Sequence, residues 1–441
     1  MDLTKNIHWL DKSMRIASYS DYSDGLLRVK KGWSYGYTDL LGGFVIPPVY
    51  EHLGSWCCGL AWASIGGQHC YINRSNQVVI PGDKFYVPSM YSVGDISDNG
   101  LVRVGTPGHE NRKWGFVDTS GNMVIDLVYD DAGSFSNGLS AVGKDGLYGY
   151  IDATGKNVIG YRYERASAFS GRLAVVCRDK LYGVINTDGK EIIPPRYEFL
   201  MIYWGCRVAV RHEDKWGIFD ENGTQITSFE YDDITAYNCD GYAEVGKDGK
   251  KGLIDKTGKL IIPLLYRDVS YPTEGFAEAA VGKRGKTFVG IDGREMPARF
   301  DDVLFGFTEG LAAVKKRRKW GYIDTGGAEV IPPQYADVTG FHGGIARVMD
   351  SDGKCGYINR NNEAVIPLEY DWMSTFDDRP VATVTSGFNP VFKKYGTGVK
   401  HGLIDRENNL LLPVIFDEVL CTDDVNIVLV LLNNQWGILK L

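Results

Sequence analysis

One short pattern returns at a fixed interval along this 441-residue chain, and that interval constrains the fold more than any other property. Lys113-Trp114-Gly115-Phe116-Val117-Asp118-Thr119-Ser120-Gly121 has a near copy in Lys319-Trp320-Gly321-Tyr322-Ile323-Asp324-Thr325-Gly326-Gly327. The second copy runs on into Val330-Ile331-Pro332-Pro333-Gln334-Tyr335. A further part of the unit reads Phe135-Ser136-Asn137-Gly138-Leu139-Ser140-Ala141-Val142. The dipeptide glycine recurs at 36, 115, 149, 183, 217, 252, 321, 356, 402 and 437, with Cys70 in its place in a diverged unit. From 115 to 149, 149 to 183 and 183 to 217 each step is 34 residues. From 252 to 321 is 69, two units, the intervening one degraded near Phe288 to Asp292. Two units are longer, 45 residues from 70 to 115 and 46 from 356 to 402. Units therefore start near residues 35, 69, 114, 148, 182, 216, 251, 289, 320, 355 and 401, a single array spanning 1–441 of about eleven repeats.

Each part of the unit predicts β-structure. Trp-Gly-Tyr-Ile-Asp alternates large apolar residues with others, as a half-buried strand does. Asp-x-x-Gly is a turn in which Asp accepts from the backbone and Gly supplies the closing conformation. Val-Ile-Pro-Pro is a strand expected to end at its prolines, which have no N–H for a ladder. Gly-Leu-Ala-x-Val is the next strand. Its small residue recurs as Ala61, Ser140, Ala174, Ala243, Ala277, Ala312, Ala346 and Ala382, which marks a close approach of packed layers. The dipeptide glycine is assigned a packing role, close backbone approach beside a large aromatic.

These residues resemble the WG-repeat family, also called KWG repeats, widespread in bacteria. The resemblance runs from about Gly25 to Leu441 and rests on the combined pattern; the dipeptide alone is unspecific. Tyr35, Tyr148, Tyr182, Lys251, Cys355 and His401 stand where the pattern has Trp, which argues against a ligand role for that position. The resemblance implies a β-propeller-like repeat domain and protein interaction, and it brings no catalytic residues.

A sheet of about 34 residues buries its faces only against neighbours. The expected fold is all-β, a closed many-bladed β-propeller of about eleven or twelve short blades; the alternative is an open β-solenoid. The chain's ends favour the ring. Trp436-Gly437-Ile438-Leu439-Lys440-Leu441 opens a unit without finishing it, and Gly25-Leu26-Leu27-Arg28-Val29 is the last strand of one, so residues 436–441 are expected to close onto that N-terminal strand. Against the ring, eleven or twelve units exceed the usual four to eight blades.

Charge and cysteine usage narrow the function. A formal net charge of −8 disfavours nucleic acid as a partner. No apolar run approaches a membrane span, and residues 1–20 carry no signal-peptide core. Cysteines 57, 58, 70, 177, 206, 239, 355 and 421 show no Cys-x-x-Cys spacing and read as reduced thiols, placing the chain in the cytoplasm. Histidines 8, 52, 69, 109, 212, 342 and 401 have no metal spacing. With no phosphate loop and no nucleophile elbow, the sequence gives no catalytic, cofactor or metal site.

Three features are candidates for contact. Acidic residues follow the repeat tyrosine, or Phe300, at Glu51, Asp130, Glu164, Glu198, Asp232, Asp301, Asp371 and Asp417. In a ring they form a collar, either a surface for a basic partner or turn chemistry. Lys315-Lys316-Arg317-Arg318-Lys319 is a basic hairpin tip, either a solvated loop or a contact. Insertions at 82–90, with Phe85 and Tyr86, and at 385–399, with Phe388, Phe392 and Tyr395, put aromatics on long loops, where they either bind or pack down. The resulting expectation is a monomeric, non-catalytic scaffold for an unidentified protein partner, with no cofactor. The alternative is a carbohydrate or cell-wall binder, since the Trp-Gly-Tyr-Ile-Asp-x-x-Gly hairpins are similar to choline-binding repeats. A propeller enzyme with a central-channel site is a third reading.

Overall fold

The computed structural model describes residues 3–16, 21–88, 96–108, 111–203, 207–282, 285–376, 379–389 and 394–441; at 388, 389 and 394–397 it describes the backbone alone. Apart from a 3-10 turn at Thr4–Asn6, the regular structure of these residues is all β. It forms twelve small antiparallel sheets, blades 1 to 12 in chain order.

Blade 4 shows the plan. Asp131–Ala132, Leu139–Lys144, Leu147–Asp152 and Asn157–Tyr163 pair in that order as an up-and-down meander. Side chains alternate between the two faces of a strand. Leu139, Ala141, Tyr150, Ile159 and Tyr163 pack forward on Ala174, Val176 and Ile185 of blade 5. Val142 and Ile151 pack backward on Phe116, Ile125 and Tyr129 of blade 3. Both faces are buried, which is why the second and third strands read as short continuous apolar runs. The recurrent small residue, from Ala61 to Ala382, is wholly buried in every one of its positions.

The interfaces count the ring. The described residues form twelve hydrophobic clusters, each spanning two successive blades. Twelve blades in an open rod have eleven interfaces. The twelfth joins the ends: Ile427, Leu429, Trp436 and Ile438 of blade 12 pack on Leu10, Met14, Leu27 and Val29 beside blade 1. The fold is a twelve-bladed propeller.

The closing strand differs from the expected one. Leu26–Lys31 belongs to blade 1, where it pairs with Ser34–Thr38. The fourth strand of blade 12 is His8–Trp9, paired His8 to Ile438 and Trp9 to Gly437. The Leu10 N–H donates to the Trp436 carbonyl at 2.9 Å, and Gln435 Nε2 donates to the Leu10 carbonyl at 2.8 Å. The terminal fragments do complete one blade, but the N-terminal contribution comes from the lead before the first repeat.

The dipeptide glycine has a specific cause. In blade 1, Tyr35 pairs with Tyr50 and Tyr37 with Ile46, so two residues on the third strand face four on the fourth. The extra residues bulge over the glycine. A Cβ at Gly36 would lie 2.5 Å from the Ile46 carbonyl oxygen, and one at Gly321 would lie 2.3 Å from that of Ile331. The prolines therefore do not end the strand; Phe44–Tyr50 and Glu329–Tyr335 run through them. A bulge leaves ladder positions unpaired, so residues without an N–H are tolerated there.

Two blades without the glycine serve as natural controls. Cys70 replaces it in blade 2, whose fourth strand shrinks to Val78–Ile80. In the degraded unit the homologous residue is Thr287, fixed by the pairing of Lys286 with Ala280, so that unit starts at Lys286 and not near 289. Thr287 Oγ1 donates to the Met296 and Ala298 carbonyls, and the fourth strand survives only as isolated bridges.

Candidate functional site

An up-and-down meander sorts its connections by side. Turns from first to second strand and from third to fourth lie on one face of the ring. Tips from second to third strand and links to the next blade lie on the other.

The first face is regular and self-satisfied. Asp118 Oδ1 accepts from the Ser120 and Asn122 N–H groups, and Asp152, Asp255, Asp324 and Asp405 repeat the arrangement. First-to-second tips interlock between blades. Glu274 accepts from the Gly310 N–H at 2.8 Å, and Glu309 from the Gly344 N–H at 3.0 Å.

The collar carboxylates, the basic tip and Tyr86 fall on the second face. The collar carboxylates follow the fourth strands there, and seven of the eight bond to a second-to-third tip. Asp130 accepts from the Asp145 N–H at 2.8 Å, Asp232 from Asp248 at 2.7 Å, Asp301 from Arg317 at 2.7 Å and Asp371 from Gly387 at 2.7 Å. Asp417 accepts from Asn433 at 2.8 Å, Glu164 from Lys180 at 3.1 Å and Glu51 from Gly67 at 3.2 Å. Glu198 makes no such bond among the described residues; Arg211 pairs with Asp214 across that tip instead. Lysines 113, 215, 354 and 400 pair with Asp130, Asp232, Asp371 and Asp417. The lysine, then the tip N–H, holds Asp130, Asp232 and Asp417 below the usual carboxylate range. Apart from Glu198, the collar is thus a set of hairpin clamps, seven carboxylates each occupied by a tip N–H.

The basic tip divides. Lys315 lies over the Trp320 ring at 5.1 Å, and Lys316 pairs with Glu329. Arg317 and Arg318 are exposed, with φ of 50° and 70°. Positive φ at both central residues is type I′ geometry, which aims two guanidinium side chains outward from a rigid tip.

The described part of the 82–90 insertion, residues 82–88, supplies a first strand in disguise, while 89 and 90 lie outside the described residues. Tyr86 bridges Gly105, the pairing that Asp131 makes with Gly143 in blade 4. Phe85 is 2% exposed in the core between blades 2 and 3, so its place is in packing and not in partner contact. Tyr86 is half-buried, with the Arg112 guanidinium 3.3 Å from its ring centroid and Trp114 edge-on at 5.8 Å. The 385–399 insertion extends blade 11 into one long hairpin, Val381–Asn389 against Lys394–Asp405, in which the backbones of Phe388 and Tyr395 pair. Phe392 lies outside the described residues.

One residue escaped the sequence reading. Trp33 sits on the second-to-third tip of blade 1 and is 89% exposed. The signal was available: the other two-residue tips of this kind carry Asp, Asn, Glu, Lys, Arg or Gly, and Trp33 lies two residues before the Tyr35-Gly36 dipeptide. By contrast the dipeptide's Trp320 and Trp436 are 4% exposed and packed between blades, closed to ligand stacking. Among the described residues no three His, Cys, Asp or Glu side chains gather as a metal set.

The model of the WG containing repeat matches residues 35–68, 114–148, 148–182, 182–203, 216–250, 252–286, 297–320, 320–355, 356–385 and 402–436. No curated protein matches the sequence. Similar solved structures include a eukaryotic initiation factor, 12% identical over 68% of this chain and 93% of that one, with a TM-score of 0.36. The computationally designed Ika8 protein is 13% identical over 70% and 95%, TM-score 0.26. BamB from Moraxella catarrhalis is 13% identical over 68% and 94%, TM-score 0.25.

Proposed function

The chain belongs to the WG containing repeat family, and from that premise we propose that it is a non-catalytic scaffold, monomeric and cytoplasmic, that binds a protein partner through one face of its ring. The observation that carries this reading is the asymmetry of the two faces. Among the described residues, the exposed Trp33, Tyr86 with Arg112 and Trp114, the Arg317-Arg318 tip and the lengthened hairpin Val381–Asn389 with Lys394–Asp405 all lie on the second-to-third side. Repeat arrays keep a regular core and vary loops on the face that binds. Trp, Tyr and Arg on rigid supports are the residues that dominate protein interfaces.

The test compares affinity capture from native extract by three proteins. They are the unaltered chain, a face variant carrying Trp33→Ala, Arg317→Glu and Arg318→Glu, and a control carrying Arg172→Glu on the opposite face. The reading expects one partner retained by the first and third and lost by the second. Equal retention by all three contradicts it.

A further inference from the structure

Each blade meets the next at a pair of side chains that compensate for one another. The residue before the dipeptide glycine lies diagonal to the one after the small residue of the second strand, on the same face, within reach for long side chains. His69 is 4.8 Å from Trp62, ring to ring, and Trp114 has the Arg103 guanidinium over it at 4.9 Å. Lys251 pairs with Glu244 at 2.9 Å, and Lys286 lies 3.8 Å from Glu278. Trp320 stands over Ala313 in a shared cluster with Tyr335 and Val338. Cys355 pairs with Met349 and so lies diagonal to Arg347, which pairs with Tyr357. Bulk on one side, or an ion pair across it, fills the space before the following blade.

Blade 11 departs from this rule. Its pair is His401 with Thr383, and neither is large. A cleft of about 660 Å³ opens there against blade 12, lined by Trp372, Thr383, Arg379 and His401 on one side and Val419 and Cys421 on the other. Trp372, Thr385 and His401 share one row of the sheet, and Thr385 Oγ1 and His401 Nδ1 are 3.0 Å apart. The Arg379 guanidinium is tethered to the Thr422 carbonyl at 2.6 Å.

We infer that this cleft binds a planar aromatic ring of indole or phenol size, standing where other repeats place their own Trp or Tyr. In blade 9 the same space holds the Trp320 indole between third strand and following blade. Where a core lacks a side chain that its surroundings are shaped for, a molecule of the missing shape can occupy the gap; a dry cavity of about 150 Å³ holds benzene. Here the walls are apolar at Val419 and aromatic at Trp372, and Thr383 and Arg379 offer polar contacts to a ring's edge. The ring belongs either to a free aromatic molecule or to a side chain of a bound protein. This inference does not depend on which face binds the scaffold's partner.

The experiment is ligand-detected NMR with indole and with N-acetyl-tryptophanamide, on the full chain and two variants. His401→Trp supplies the missing ring from within. Thr383→Arg supplies the bulk that Arg347 gives beside Cys355. The unaltered chain is expected to bind at least one probe, and both variants to bind it tenfold or more weakly while His401→Trp melts at the same temperature or higher. Preference for indole assigns the site to free aromatics, and preference for the amide to protein side chains. No binding of either probe at millimolar concentration, or undiminished binding by a folded variant, overturns the inference. Should His401→Trp fail to fold, Thr383→Arg decides alone.

Discussion

At the residue scale, the glycine of the dipeptide carries the blade. Its role in close approach was legible in the sequence, because the position tolerates Tyr, Lys, Cys or His before it but almost nothing else in its own place. What the sequence hid was the object approached, since a bulge is a property of two strands and periodicity describes one. Gly321→Ala would put a Cβ against the Ile331 carbonyl, a backbone atom with no rotamer to yield. Overpacking of this kind costs about 1–3 kcal/mol. We expect a lower urea midpoint for that variant, whereas Ala312→Gly, which creates no clash, should lower it by less; equal losses would show that the bulge does not need the glycine. Trp33 is the opposite case. Its side chain is exposed, so Trp33→Ala should leave the melting temperature unchanged to within about 1 kcal/mol of stability. A large drop would place the indole in packing and remove it from the binding face.

At the element scale, the hairpin tips are held by carboxylates and not by turn residues alone. Sequence reasoning singled out those carboxylates and left two uses for them, a surface for a partner or turn chemistry. The deciding fact is a hydrogen bond reaching some sixteen residues along the chain, as from Asp232 to the Asp248 N–H, which no local turn rule contains. The same limit explains the 82–90 segment: no alternation marks Tyr86 as a strand, because one bridge to Gly105 suffices to complete its blade. The clamps make a prediction about acid. Asp130, Asp232 and Asp417 have folded-state pKa values depressed by their lysines and tip N–H groups. Their stabilisation is present above the unfolded carboxylate value of about 3.9 and is lost as pH falls through the lower folded value. Thermal melts between about pH 2 and 6 should therefore show less acid destabilisation in a variant with all three changed to Asn than in the unaltered chain. An identical pH profile would mean that the clamps contribute nothing.

At the scale of the whole molecule, the ring was legible in outline and wrong in one joint. The repeat count and the incomplete terminal units pointed to closure, but the strand that closes, His8–Trp9, has no repeat signature and is two residues long. The central claim is that both ends of the chain build one blade. Two truncations test it most directly: one chain ending at Gln435, the other beginning at Leu10, with their combination as the third protein. Trp436, Ile438 and Leu439 are buried, and full burial of one such side chain is worth about 1.5–3 kcal/mol. In a ring the two cuts damage the same blade. Each should lower the main urea midpoint, and the combined cut should cost less than the sum of the two, as sites in contact do. In a rod the cuts fray opposite ends, their effects add, and each gives only a small local transition with the main midpoint unmoved. Non-additive loss of the main transition is the result this structure predicts; additive, local losses would contradict it.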